Sequence, residues 1–157
     1  MTWINHEYFT ERWLERAERD EGRDFVDIVD KFISLWISFN SWMRGEFGES
    51  ITNRRLIEKA KQSEKLKRSF EELKKGSEPF KNNLGAIGSY TVTDMRGIEP
   101  DESYDDTFSK LIEVIYRVRC NLIHGRKDPA QYEKDLELVK LSYAILFPLL
   151  TSIVKGT

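Results

Sequence analysis

The longest regular apolar pattern of the chain covers residues 25–43, where apolar side chains recur every three or four positions. These residues are Phe25, Ile28, Val29, Phe32, Ile33, Trp36, Phe39 and Met43. This spacing predicts an α-helix of about five turns with one apolar face. Glycines at positions 45 and 48 are expected to end it. Because such a long apolar face needs other elements to cover it, the pattern favours a helical bundle.

Two later stretches repeat the pattern. The first predicts a helix whose apolar face comprises Phe108, Leu111, Ile112, Ile115, Val118 and Leu122, with Asp101 or Ser103 as its cap. The second predicts a helix over residues 129–154, capped by Asp128 and kinked near Ala144 by Pro148. Four further leucine and isoleucine residues, Leu138, Leu141, Ile145 and Leu149, widen its apolar face. That surplus is available either to the core of one protomer or to a symmetric partner.

Other segments add shorter or more polar elements. Residues 1–21 form a predicted short helix with Tyr8, Phe9, Trp13, Leu14 and Ala17 on its apolar face. Residues 52–75 form a predicted polar helix with nine lysines and arginines against four glutamates. This basic face is either solvated or follows a phosphate backbone. An irregular section follows at 77–103, with a short helix predicted at 78–86 and an extended piece at 90–93. We therefore predict one all-α domain over residues 1–157, an up-and-down bundle of four to five helices.

The composition limits the function classes. A net charge of −2 gives no overall basic footprint, so RNA binding would require a local basic patch. The only cysteine is Cys120, so no intrachain disulfide can form, and no basic and apolar signal segment or membrane span is recognised. Cytoplasmic localisation without a membrane partner is the expectation. No metal site and no cofactor are expected, since the chain has two histidines and no phosphate-binding or dinucleotide-binding glycine motif.

Chemically versatile residues are concentrated at the end of the helix predicted around residues 108–122. They are Arg117, Arg119, Asn121, His124, Arg126 and Lys127, with Gly125 directly after the histidine. On an ideal helix Arg119 and His124 lie about 140° apart, so they share a pocket only if the helix ends near His124, as Gly125 favours. A simpler interpretation is an ordinary helix end, with a His-Gly cap, solvated arginines and Asn121 bonded to a nearby loop. His6 has no partner at metal-ligand spacing and is interpreted as a surface or capping residue.

The string from Ile115 to Lys127 contains an arginine and a histidine separated by four residues, an asparagine within that interval and a following glycine. It resembles the HEPN family (higher eukaryotes and prokaryotes nucleotide-binding domain), in particular its stand-alone prokaryotic members. The segment Trp36-Ile37-Ser38-Phe39-Asn40 is similar to that family as well. The resemblance implies a helical bundle and a homodimer in which the motif helices of two subunits meet to form a basic cleft.

In catalytic members of that family the motif is the active site of a metal-independent endoribonuclease. The resemblance implies that His124 is the general acid/base, that Arg119 faces the scissile phosphate and that Asn121 orients them or the substrate. Histidine suits proton transfer from a 2′-hydroxyl, and an arginine fork suits phosphoryl oxygens. Arg117, Arg126 and Lys127 are expected to bind substrate. Asn40 is expected to support the motif from outside, or alternatively to fix helix packing through an internal hydrogen bond.

Three functions follow as expectations. The first is a ribonuclease of toxin or phage-defence type that acts on single-stranded RNA or tRNA loops, with a cognate antitoxin protein among its partners. The second is a non-catalytic HEPN module that binds a nucleotide, RNA or a partner protein. The third is a helical bundle in which His124 is only a helix cap.

Overall fold

The computed structural model describes residues 5–19, 25–123 and 132–156, and within them it contains seven helices and no strand. The helices are α1 (His6–Arg19), α2 (Phe25–Phe47), α3 (Asn53–Lys61), α4 (Glu64–Gly76), α5 (Glu78–Ile87), α6 (Phe108–Ile123) and α7 (Tyr132–Lys155). A single antiparallel bridge joins Val92 to Glu102 in the segment between α5 and α6. The predicted all-α class is confirmed.

One hydrophobic core joins the helices. α1 packs on α2, α2 also packs on α3 and α7, and α7 packs further on α4, α5 and α6. The predicted apolar faces supply much of this core, including Phe32 and Phe39 from α2 and Leu111 and Ile115 from α6. The four residues that widen the apolar face of α7, Leu138, Leu141, Ile145 and Leu149, are also buried here. Those four therefore belong to the core of one protomer.

The polar segment 52–75 is not the single helix that its pattern predicted. α3 ends at Lys61 and α4 begins at Glu64. Between them the hydroxyl of Ser63 accepts a hydrogen bond from the backbone N–H of Leu66 at 3.3 Å, which is the geometry of an N-cap. Ser77 caps α5 in the same way, through the N–H of Phe80. The break at Ser63 divides the polar segment into two helices, while α5 confirms the short helix predicted at 78–86. The total of seven helices in the described residues exceeds the predicted four to five.

The cap of α6 also differs from the prediction. The hydroxyl of Thr107 accepts a hydrogen bond from the N–H of Lys110 at 3.3 Å, while the Asp105 carboxylate accepts one from the hydroxyl of Thr107 at 2.6 Å. Asp101 and Ser103 lie too early in the chain to cap this helix, since the first residue of α6 is Phe108. The correct cap is the threonine directly before the apolar pattern.

The last helix, α7, contains Pro148 and continues beyond it to Lys155. The predicted cap at Asp128 lies outside the described residues. By length and composition Glu133–Lys155 could cross a membrane, with a mean hydropathy of 1.6 in a window that is 44% buried inside the fold. The core helix of a soluble protein passes the same test. The expectation that no apolar run approaches the length of a membrane span is therefore wrong for α7. The absence of a membrane partner stays a prediction.

Candidate functional site

A cavity of about 770 Å³ lies between α1, α2, the turn before α3 and the end of α6. Arg119 of the motif and Asn40 of α2, which are far apart in sequence, both line it. The α1 side contributes Asn5, His6, Tyr8 and Phe9. The volume falls in the range of roughly 300–1,000 Å³ that is typical of ligand pockets. The cavity therefore brings one motif residue together with residues far from it in sequence.

Arg119 lies near the end of α6, where its guanidinium carbon is 5.9 Å from the centroid of the Trp36 ring. Its Nη1 atom is 3.9 Å from the sulfur of Cys120. Neither contact is with a carboxylate, and no ion pair involves Arg119 among the residues that the structure describes. A partly buried guanidinium held by a ring face and a thiol keeps donors available for an anion.

Arg44 lines the same cavity but its donors are occupied. Nε donates to Asn40 Oδ1 at 3.0 Å, Nη1 to the carbonyls of Glu49 and Ile51 at 2.7 and 2.9 Å, and Nη2 to Asn53 Oδ1 at 3.1 Å. Arg44 thus ties the turn between α2 and α3 to the end of α2. Asn40 thus accepts a hydrogen bond within its own helix, from Arg44 one turn later, as the prediction of an internal hydrogen bond expects. It also lines the cavity together with Arg119.

His6 has a partner that its sequence position does not reveal. Its side chain is 20% exposed, and Nε2 lies within hydrogen-bond distance of the carboxylate of Glu49. Nδ1 lies 3.4 Å from Ser41 Oγ, and that hydroxyl donates to the His6 carbonyl at 3.2 Å. His6 is the first residue of α1 and is partly exposed, in keeping with a position at the surface, but the sequence did not indicate its contact with Glu49. Glu49 is 43 positions away, and only the fold brings it near.

Tyr8 and Phe9 were predicted on the apolar face of the first helix, yet they are 56% and 45% exposed. Among the described residues, only Ile98 is another large exposed apolar side chain. Leu14 and Ala17 are the fully buried part of the predicted face. The first turn of α1 therefore presents two aromatic rings at the cavity, and an aromatic pair beside a histidine is the sequence signal that could have indicated this.

Asn121 and Arg117 face away from the cavity, toward the segment between α5 and α6. Asn121 Nδ2 donates to the carbonyl of Thr93 at 2.7 Å, and its Oδ1 accepts from the N–H of Met95 at 3.0 Å. Arg117 is 4% exposed and donates to the carbonyl of Pro100 at 2.8 Å. The interpretation that Asn121 bonds a nearby loop is confirmed. For Arg117, this internal bond takes the place of the expected contact with substrate.

The same segment is organised by Asp94. Its buried carboxylate accepts hydrogen bonds from the backbone N–H groups of Glu99, Ile98 and Arg96. These bonds, that from Glu99 foremost, hold the pKa of Asp94 well below its usual range. Asp94 thus stabilises its own loop.

The wall behind Trp36 is supported by a charged network. The buried carboxylate of Glu113 accepts two hydrogen bonds from Arg54, at 2.7 and 3.0 Å, and one from Lys61 at 2.6 Å. Burial alone would raise the pKa of Glu113, but the hydrogen bonds from Arg54 and Lys61 outweigh it and lower the pKa to about 2.

The network continues through aromatic contacts. The Arg54 guanidinium carbon lies 5.1 Å from the centroid of the Tyr116 ring. That ring stacks on the ring of Trp36, with 6.0 Å between the two centroids. Burial raises the pKa of Tyr116. Arg54 and Lys61, two cations of the basic segment, therefore hold α3 against α6.

The remaining motif residues, His124, Gly125, Arg126 and Lys127, lie outside the described residues. The convergence of Arg119 and His124 thus stays a prediction. Within the described ranges, no group of three or more histidine, cysteine, aspartate and glutamate side chains is placed to hold a metal ion. No family model, curated protein or solved structure matches the chain.

Proposed function

We propose that this protein is a metal-independent endoribonuclease of HEPN type, acting in a toxin or phage-defence role on single-stranded RNA or tRNA loops. The observation that carries the proposal is the position of Arg119, which lines a ligand-sized cavity without a carboxylate partner among the described residues. An arginine in that setting suits a phosphodiester. His124 follows it in sequence by five positions, beyond the last described residue of α6.

In the proposed reaction the 2′-oxygen of a ribose attacks the adjacent phosphorus and the bond from phosphorus to the 5′-oxygen breaks. His124 accepts the proton of the attacking 2′-hydroxyl as general base and then donates a proton to the leaving 5′-oxygen as general acid. Arg119 stabilises the charge that develops on the phosphoryl oxygens. The products are a 2′,3′-cyclic phosphate and a free 5′-hydroxyl. Asn121 acts in this proposal by positioning the loop that contains Thr93 and Met95 against α6.

The proposal includes a homodimer in which two motif helices meet. Arg126 and Lys127 of both copies would add positive charge beside Arg119, which a chain with a net charge of −2 needs in order to hold RNA. A cognate antitoxin protein would cover the same basic surface. Light scattering at micromolar concentration is expected to return the mass of a dimer, and a monomer mass would contradict this part of the proposal.

A second candidate is a non-catalytic HEPN module that binds a nucleotide, RNA or a partner protein. It is favoured by one observation, namely that Asn121 and Arg117 are engaged with backbone groups of their own chain. Of the motif side chains that the structure describes, this leaves Arg119 at the cavity. Binding of a ligand, unlike cleavage, does not require further motif side chains at the cavity.

The decisive experiment is incubation of the purified protein with total RNA in excess EDTA, beside Arg119→Ala and His124→Ala. Lys81→Ala is the control, because Lys81 is an exposed cation on α5 that lies outside both the cavity and the basic segment 52–75. We expect cleavage by the wild type and Lys81→Ala, loss in both motif variants, and 2′,3′-cyclic phosphate ends. Growth arrest on heterologous expression should disappear in His124→Ala. A folded wild type that binds RNA without cleaving it would favour the binding module.

A further inference from the structure

We propose that the α1 side of the cavity is a base-binding subsite for single-stranded RNA, in which Tyr8 and Phe9 stack on a nucleobase while Arg119 binds a neighbouring phosphate. The inference rests on the proposed function in taking RNA as the ligand. It concerns residues that the motif does not include, and it can be tested by binding alone.

The first argument is the exposure of the two rings. Tyr8 and Phe9 leave about half of their surface in solvent on a helix that buries Leu14 and Ala17 completely. Exposed aromatic side chains grouped at a concave surface are typical of binding sites. The guanidinium carbon of Arg12 lies 5.0 Å from the centroid of the Tyr8 ring, and the centroids of the Phe9 and Trp13 rings are 6.2 Å apart. Side chains of α1 therefore hold both rings in place.

The second argument is the charge of the cavity. Its charged side chains are those of Arg44, Arg119 and Glu49, together with His6, which contacts Glu49. Two arginines against one glutamate give the cavity a net positive charge, in a chain whose net charge is negative. Arg44 is held by its own chain, so Arg119 is the cation available to a ligand. This charge matches a phosphate group next to a stacked base.

The third argument is the combination of ring faces with a cation in one space of about 770 Å³. Proteins that bind single-stranded nucleic acid pair positive charge along the backbone with aromatic rings on which bases stack. Stacking accepts every base, so this subsite is expected to bind RNA with little sequence preference. A duplex keeps its bases inside and offers none to Tyr8 and Phe9, so a single strand is the form that fits.

The test is fluorescence anisotropy with a labelled octanucleotide of 2′-O-methyl RNA. Methylation removes the attacking hydroxyl, so binding is measured without cleavage. The variant is Tyr8→Ala with Phe9→Ala, beside Tyr8→Phe with Phe9→Tyr, which keeps both rings. Ile98→Ala is the matched control, because it removes the other large exposed apolar side chain of the described residues, away from the cavity. Circular dichroism checks that each variant is folded.

We expect the alanine pair to weaken binding by roughly ten- to a hundredfold, from the known contribution of base stacking on aromatic residues. The ring-preserving pair and Ile98→Ala should stay within about twofold of the wild type. Unchanged affinity of the alanine pair, or no binding of the octanucleotide by the wild type, would overturn the subsite. A nucleoside monophosphate that binds as tightly as the octanucleotide would overturn its assignment to an RNA strand.

The outcomes separate this inference from the proposed function. Cleavage of unmodified RNA by a wild type whose affinity does not depend on the two rings would leave the ribonuclease standing and remove the subsite. Ring-dependent binding of the octanucleotide by a wild type that cleaves nothing would keep the subsite and remove the ribonuclease.

Discussion

Arg44 and Arg119 line one cavity, but Arg44 gives hydrogen bonds to four acceptors of its own chain whereas Arg119 contacts a thiol and an aromatic ring. The two arginines are therefore not equivalent. Arg44 builds a wall by joining α2 to the turn before α3, and the planar fork of its guanidinium allows it to reach several acceptors at once. Arg119 is held in place and retains donors for a ligand.

Replacing Arg44 with lysine is expected to lower the free energy of unfolding by about 1–2 kcal/mol, because an ammonium cannot span the same acceptors. Urea denaturation followed by circular dichroism measures the change. Arg119→Lys is the matched control and should change stability by less than about 0.5 kcal/mol. Equal stability of Arg44→Lys and the wild type would show that the turn does not depend on this clamp.

The close approach of α1 to α2 at Gly45 gives a second prediction. A Cβ atom at this position would lie 2.9 Å from the Cβ of His6, so Gly45→Ala must displace the start of α1. We expect a loss of stability of roughly 1–3 kcal/mol, as for other overpacked contacts, measured by urea denaturation.

Gly85→Ala provides the control for this substitution. Gly85 lies within α5, where an added Cβ would meet nothing within 4 Å. It should stabilise the protein by roughly 0.5–1 kcal/mol through the lower entropy of the unfolded chain. The two substitutions are expected to change the free energy of unfolding in opposite directions. A stabilising Gly45→Ala would contradict the close packing of α1 on α2.

The network around Glu113 predicts a dependence of stability on pH. Its pKa is lowered from 4.5 to about 2 in the folded protein. A carboxylate with a lowered pKa stabilises the fold at pH values above its unfolded pKa, and that stabilisation is lost as the pH falls from 4.5 toward 2. Glu113→Gln should therefore be less stable than the wild type at neutral pH, and the difference should shrink through this window. Denaturation at a series of pH values measures it.

Glu64→Gln is a suitable control for the acid series. The Glu64 side chain is 82% exposed and its contact with Lys67 is 3.9 Å long. Exposed pairs of this kind contribute little, so its pH profile should follow that of the wild type. A Glu113→Gln profile that runs parallel to the wild type across the window would contradict a stabilising role for the network.

Asn121 connects α6 to the loop before it through both atoms of its amide. Asn121→Ala should lower stability by about 1–2 kcal/mol and speed the cleavage of residues 91–103 in limited proteolysis. Asn82→Ala, an exposed asparagine on α5, is the control and should change neither. RNA cleavage that falls in Asn121→Ala without a change in stability or proteolysis would indicate direct contact with substrate.

The helices that pack through apolar faces could be predicted from sequence. Residues such as Phe32, Phe39, Leu111 and Ile115 follow the helical period and are buried as that period requires. The break at Ser63 is not predictable in this way, because a polar helix has little apolar periodicity. A serine within such a helix becomes a cap only where the backbone leaves the helical conformation.

The candidate site was only partly accessible from sequence. Arg119 stood out because it lies in a local motif, and Asn40 because it lies on the flank of an apolar face. The pairing of His6 with Glu49 depends on how α1 lies on α2, and no local pattern reports that. The apolar character of Tyr8 and Phe9 predicts a buried face, but the same character suits a cavity wall, and only the packing of α1 distinguishes the two.

The cavity exists only while α1 lies on α2, because Tyr8 and Phe9 form one of its sides. Any occupant must therefore make the undocking of α1 less favourable, in proportion to the logarithm of its concentration relative to its dissociation constant. Amide hydrogen exchange within α1 would slow whenever the cavity is filled. The helix thus serves as a built-in reporter of occupancy, which can be used to screen compounds without any assay of RNA.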